Sequence, residues 1–282
     1  MKKINNIAVI GGGLMGSGIT QTIAESGKNV LLIEVDKVQL NKSLIRIEKS
    51  LNKKAEKLNL ESGYAGKMMM NIKSGTTIEE VSKSELIIEA VPEDIEVKKN
   101  IFKEITRHSK CDAIIASNTS GLSIAAIGSV TRNPENIIGL HFFYPAPIMN
   151  LVEIIPSIIT SEDTYEIMYQ FVKDLNKNSV RCQDYPGFLV NRMLVPMINE
   201  AIYCVMEGST PEDVDASMMY GANHKMGPIT LADFVGLDVL LATMEGLYEG
   251  FSDSKFRPAP LLKKLVESGN LGRKTGRGFY EY

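Results

Sequence analysis

The chain has 282 residues, 44% of them hydrophobic and 23% charged, and 31 Lys and Arg against 34 Asp and Glu leave a net charge of −3. This is the composition of a soluble globular protein of about two domains. It excludes disordered, collagen-like and coiled-coil classes, and the mild acidity argues against nucleic acid or an anionic membrane as the main partner. Cys111, Cys182 and Cys204 are odd in number and widely spaced, which fits neither a disulfide framework nor a metal site and points to a reducing, cytoplasmic compartment. No apolar run approaches the roughly 18 residues of a membrane span. The four apolar residues Ile7–Ile10 after Lys2 and Lys3 are too few for the core of a signal peptide, so mature termini are expected.

The first predicted strand, Ile7–Ile10, runs into Gly11-Gly12-Gly13-Leu14-Met15-Gly16 and a helical pattern over Met15–Ser26. Gly11, Gly13 and Gly16 meet the G-x-G-x-x-G spacing, in which the glycines permit a tight turn, close approach of backbone N–H groups to a pyrophosphate, and close helix–strand packing. The second strand, Val30–Ile33, ends in Glu34, eighteen residues beyond Gly16, where a carboxylate can accept hydrogen bonds from an adenosine ribose. Glu34 would repel a 2′-phosphate, so NAD is favoured over NADP, a preference that nearby Lys37 moderates.

The next helical pattern, Gln39–Leu58, places Leu40, Leu44, Ile47, Leu51 and Leu58 on a face that should bury. A second face carries Lys42, Arg46, Lys49, Lys53 and Lys57, and residues 37–58 hold seven basic side chains against two acidic ones. By itself such a stripe reads as a solvated face.

Further strands are predicted at Leu86–Ile88, Ala113–Ala116, Ile137–Phe142, Leu151–Ile155 and Asn178–Cys182, with helices at Ile95–His108 and Ser161–Leu175. In open α/β sheets ligands bind at the carboxyl ends of strands, which singles out Ser117-Asn118-Thr119-Ser120 and His141. Glu153 interrupts an apolar strand, and a carboxylate there needs a buried partner; an imidazole N–H from the preceding strand would supply one and fix the histidine tautomer that a general base needs. After Asp184-Tyr185-Pro186-Gly187 only helical periodicity remains, broken at Gly208, Pro211 and Gly227-Pro228. The expected fold is therefore α/β: a Rossmann-like, mostly parallel sheet domain over residues 1–185 with a helical excursion near 37–70, followed by an all-helical domain over 186–282.

With these motifs in register the chain resembles the short-chain L-3-hydroxyacyl-CoA dehydrogenases, nearest to the bacterial 3-hydroxybutyryl-CoA dehydrogenases. The resemblance also rests on Gly139-Leu140-His141-Phe142-Phe143, Pro186-Gly187-Phe188-Leu189-Val190-Asn191-Arg192, Met226-Gly227-Pro228 and the terminal Gly272-Arg273-Lys274-Thr275-Gly276. It implies NAD-dependent oxidation of a short (S)-3-hydroxyacyl-CoA, with catalytic His141, orienting Glu153, and Ser120 and Asn191 on the substrate. It also implies NAD contacts from Glu93, Lys98, Asn118 and Lys274 beside the glycines and Glu34, coenzyme A contacts from Lys53 and Lys57, and a homodimer through the helical domain. The chain departs from the family's habits at Glu34, where Asp is common, at Gly121, where a second Ser is common, and at Tyr144, where Asn is common.

Two rivals keep the same residues in view. An L-gulonate 3-dehydrogenase would apply the His–Glu pair to a sugar acid without coenzyme A, and the basic stripe speaks against it. A non-enzymatic structural or redox-sensing protein on the same fold would need neither His141 nor Ser120.

Overall fold

A computed structural model describes residues 3–282. The chain divides into two compact units, the first ending at Asp184 and the second running Tyr185–Tyr282.

The first unit is an eight-stranded sheet with helices. In chain order it contains β1 (Asn6–Ile10), α1 (Leu14–Glu25), β2 (Asn29–Ile33), α2 (Lys37–Leu58), α3 (Tyr64–Met69), β3 (Ile72–Gly75), β4 (Leu86–Glu89), α4 (Ile95–His108), β5 (Ile114–Ser117), α5 (Ile124–Gly128), β6 (Ile137–Phe142), β7 (Leu151–Pro156), α6 (Glu162–Asp174) and β8 (Asn178–Arg181). The sheet order is β3-β2-β1-β4-β5-β6-β7-β8. All pairings are parallel except β6 with β7. The chain steps outward from β1 to β2 and β3, then returns to the other side of β1 with β4. The crevice between the carboxyl ends of β1 and β4 is thus the topological switch point, where open α/β sheets bind ligands.

Local sequence explains most of these elements. The central strands are continuous apolar runs because helices cover both faces of a parallel sheet, and every residue of β6 is buried. The Asp36 carboxylate caps α2 by accepting from Gln39 N at 2.8 Å, and left-handed Asn59 ends the helix. Asp94 caps α4 by accepting from Glu96 N and Val97 N. Leu40, Ile47 and Leu51 of α2 enter the same core as Ile19 and Ile23 of α1.

Two features differ from what periodicity predicts. Leu58, on the expected buried face, is 55% exposed; it is the last residue of α2, before the left-handed Asn59 that turns the chain away. Edge strand β3, Ile-Lys-Ser-Gly, carries one apolar residue in four and has no strand signal; it exists because its backbone pairs with β2.

The second unit contains α7 (Val190–Met206), α8 (Pro211–Ala216), α9 (Pro228–Val235), α10 (Leu237–Phe251) and α11 (Pro260–Glu267), with a π-helical turn at Ser217–Gly221. Its β structure is confined to isolated bridges in the terminal segment, Gly272 with Arg277 and Arg277 with Glu281. Ile198, Ile202, Leu240, Met244 and Leu262 form its core. Among the described residues no helix is long and apolar enough to cross a membrane.

Candidate active site

A cavity of about 490 Å³ lies in the helical unit, but the larger one, about 910 Å³, occupies the switch point of the sheet. Gly11, Gly13 and Leu14 line it on one side, Glu34 at the end of β2, and Ala90–Glu93, Asn118 and Ser120 after β4 and β5. The glycine loop is built for close approach. Gly11 has φ +91, and a Cβ on it would stand 2.8 Å from Ala90 O, while a Cβ on Gly16 would collide with Gly11 O. Gly13 faces open space and caps α1 with no side chain over the helix N-terminus. The first N–H groups of α1 are therefore left for an anion. Glu34 accepts from Gly12 N at 2.7 Å and from Val35 N at 3.0 Å, which holds its carboxylate in the cavity wall. These residues fit a dinucleotide: a glycine cradle for the pyrophosphate and a fixed carboxylate for the ribose.

The antiparallel step from β6 to β7 builds the second part of the site. Its register sets His141 directly opposite Glu153, and His141 Nδ1 lies 2.7 Å from Glu153 Oε2 with both side chains buried. A carboxylate only accepts, so Nδ1 carries the donated proton and Nε2 is the basic nitrogen. Phe143 packs on the imidazole with ring centroids 4.6 Å apart. Asn118, which lines the cavity, accepts at Oδ1 from the backbone N–H of Phe142, the residue after His141 in β6, at 2.9 Å.

A polar chain runs from the end of β4 to the cavity lining, and its buried anchor, Glu89, is not singled out by the sequence motifs. Glu89, the last residue of β4, accepts from Lys98 Nζ at 2.6 Å, Val91 N at 2.7 Å and Ser117 Oγ at 2.6 Å. Lys98 does not line the cavity. It is wholly buried and reaches Glu93 Oε2 at 3.4 Å. Glu93 in turn accepts from Thr119 Oγ1 at 2.5 Å and Ser120 N at 2.8 Å. Lys98 thus acts on the cavity through Glu93, which positions Ser120. The signal that marks Glu153, a carboxylate in an apolar strand, is equally present at Glu89 after Leu86-Ile87-Ile88.

The basic face of α2 divides. Lys53 and Lys57 are exposed and lie outside the residues that line the large cavity. Lys54, between them, pairs with Glu25 of α1 at 2.8 Å. Burial, together with the charge and hydrogen bond of Glu25, pushes the Tyr64 hydroxyl up to about 12. Arg46 leaves the stripe altogether and donates to Gly12 O at 2.7 Å.

The remaining expected site residues belong to the helical unit. Asn191 is the second residue of α7. The neighbouring Arg192 guanidinium lies 3.9 Å from the centroid of Phe251. Lys274 forms an ion pair with Asp238. Its segment is fastened by buried Asp233, which accepts from Phe279 N at 3.0 Å, Tyr280 N at 2.9 Å and Tyr282 Oη at 3.1 Å. Buried Asp215 accepts from Ile229 N, Thr230 N, Thr230 Oγ1 and Tyr280 Oη.

Comparison with known proteins agrees with this geometry. Residues 6–185 match the model for the 3-hydroxyacyl-CoA dehydrogenase NAD binding domain, and residues 187–282 match that for the 3-hydroxyacyl-CoA dehydrogenase C-terminal domain. The chain is 44% identical over 281 residues to a probable 3-hydroxybutyryl-CoA dehydrogenase of Bacillus subtilis, covering 99% of this chain and 98% of that one. It is also 44% identical over 277 residues to the 3-hydroxybutyryl-CoA dehydrogenase of Clostridioides difficile, covering 98% and 99%. The crystal structure of (S)-3-hydroxybutyryl-CoA dehydrogenase from Ralstonia eutropha superposes with a TM-score of 0.96 at 40% identity, covering 99% of each chain. The chain belongs to the 3-hydroxyacyl-CoA dehydrogenase family of NAD-dependent oxidoreductases.

Proposed function

We propose that this protein interconverts short (S)-3-hydroxyacyl-CoA thioesters, 3-hydroxybutyryl-CoA foremost, and the corresponding 3-oxoacyl-CoA. The observation that carries the reading is the buried His141–Glu153 pair, set by strand register, on a strand whose next residue, Phe142, is bonded by cavity-lining Asn118. His141 Nε2 takes the proton of the 3-hydroxyl as the C3–H electron pair departs as hydride, leaving a C3 carbonyl; Glu153 stabilises the imidazolium that forms. Ser120 and Asn191 donate to the substrate oxygen and hold the reacting carbon in place. When bound, NAD supplies the acceptor for that hydride, held by Gly11, Gly13, Gly16 and Glu34, with Glu93, Asn118 and Lys274 as further contacts and Lys98 acting through Glu93.

Lys53 and Lys57 meet the phosphates of coenzyme A as flexible point charges. Residues 37–58 carry seven basic against two acidic side chains, while the rest of the chain carries 24 against 32, so a small polyanion has a local place to bind on an acidic protein. The protein acts in the cytoplasm, which the odd number and wide spacing of Cys111, Cys182 and Cys204 support, with no role for nucleic acid. It works as a homodimer through the helical unit, where Met193, Tyr220, Phe234, Val239 and Tyr248 are exposed.

The test is NADH oxidation with acetoacetyl-CoA, free acetoacetate and an oxidised sugar acid, for the wild type and His141→Ala. Turnover is expected with the thioester alone and falls about 10³-fold in the variant. Equal turnover of the sugar acid would transfer the reading to a gulonate-type dehydrogenase, and no turnover in any arm would reject an enzyme.

A further inference from the structure

The carbonyl of Gly12 accepts from three side chains: Ser17 Oγ at 2.6 Å, Ser43 Oγ at 2.7 Å and Arg46 Nη1 at 2.7 Å. Arg46 Nη1 also donates to Ser17 Oγ at 3.1 Å, and Ser43 Oγ, which has a single proton, shares it between Gly12 O and Gln39 O at 2.9 Å. Gly12 N is already committed to Glu34. Both polar ends of this residue are therefore held, on a run of three glycines whose peptide planes would otherwise turn freely. The middle glycine also has a local cause, since a Cβ on Gly12 would strike Ser43 Oγ.

Fixing that carbonyl has a consequence on the opposite side of the peptide. In a planar trans peptide the C=O of Gly12 and the N–H of Gly13 point in opposite directions, so anchoring the oxygen toward α1 and α2 aims the Gly13 N–H away from them. Gly13 lines the large cavity and opens α1. Donation to one oxygen by Ser17, by cationic Arg46 and in part by Ser43 also polarises the peptide and strengthens its N–H as a donor.

We propose that Arg46, with Ser17 and Ser43, is a positioning residue of the dinucleotide loop: it holds the Gly12–Gly13 peptide so that the Gly13 N–H faces the pyrophosphate. Arg46 thereby serves the NAD side of the reaction, although it stands in sequence among the lysines proposed for coenzyme A. The proposal rests on the NAD reading of this loop.

The experiment measures both Michaelis constants, kcat and the NADH dissociation constant for wild type, Arg46→Gln, Arg46→Lys and the double variant Lys53→Ala/Lys57→Ala. Arg46→Gln should raise KM for NADH and the NADH dissociation constant about 10-fold. KM for acetoacetyl-CoA and kcat should stay within about twofold, and Arg46→Lys, which keeps a charged donor, should recover part of the loss. The lysine pair should show the reverse, a raised KM for acetoacetyl-CoA alone. The inference is overturned if Arg46→Gln behaves like the lysine pair, changes neither constant, or lowers kcat and raises both constants together with a fall in melting temperature. If Arg46→Gln does not fold, NADH titration of Arg46→Lys decides: weakened binding supports the proposal and unchanged binding rejects it. Failure of the wild type to bind NADH would instead remove the NAD reading itself.

Discussion

Each unit buries carboxylates, and the two units satisfy them differently. In the α/β unit Glu89 is paired with Lys98 and Glu153 with His141. In the helical unit Asp215 and Asp233 take their hydrogen bonds from backbone N–H groups and hydroxyls. Among the described residues no cation lies within ion-pair distance of either. The difference separates two uses of one functional group. A carboxylate facing an imidazole can stabilise a proton that comes and goes, whereas one spread over several fixed donors can only hold backbone in place. Asp233 shows the second use plainly: a Cβ at Gly278 would collide with its carboxylate and one at Gly272 with its backbone, so the terminal segment is folded tightly around this residue.

The sharpest way to break this comparison is Glu153→Gln, which keeps the shape and removes the charge. It should lower kcat about 100-fold in the acetoacetyl-CoA assay, and a loss under about threefold would place Glu153 with the structural carboxylates. Asp233→Ala should cost about 3 kcal/mol in urea unfolding, from stranded backbone donors, with kcat little changed; a kcat loss as large as that of Glu153→Gln would erase the distinction. The smallest effect belongs to a paired carboxylate away from the site. Burial alone would raise Asp174, but hydrogen bonds from Gln170 and Lys28 and the Lys28 charge hold it below the ordinary aspartate value. Its contribution is therefore present above about pH 4 and lost as pH falls through the lowered folded value. Asp174→Asn should be about 1 kcal/mol less stable than wild type at pH 7, with the gap closing toward pH 3 in thermal melts and kcat unaffected. A gap that persisted at pH 3 would show that the carboxylate charge is not the cause.

Much of the site is legible in the sequence, for identifiable reasons. The glycine run and Glu34 lie within one βαβ unit, where sequence spacing translates directly into distance. His141 and Glu153 are twelve residues apart, and the chemical need of a carboxylate in an apolar strand points from one to the other. Glu89 carries the same need but is hard to pair from sequence, because its partner Lys98 sits on a helix among other charged residues. Arg46 falls in sequence with the lysines of the basic stripe because helical spacing reports which face a side chain leaves from and not which way its long stem turns. Edge strand β3 leaves no trace in the pattern because its pairing, rather than its composition, makes it a strand.

The sequence by itself determined the family, the alternating α/β order and the helical character of the second unit, since these depend on local pattern and motif register. Tertiary structure alone decided the antiparallel step that faces His141 with Glu153, the burial of Lys98 beneath Glu93, the turn of Arg46 onto Gly12 O and the fastening of the chain end by Asp233. Each is a contact between segments whose approach is set by strand order and packing, which residue spacing along the chain does not encode.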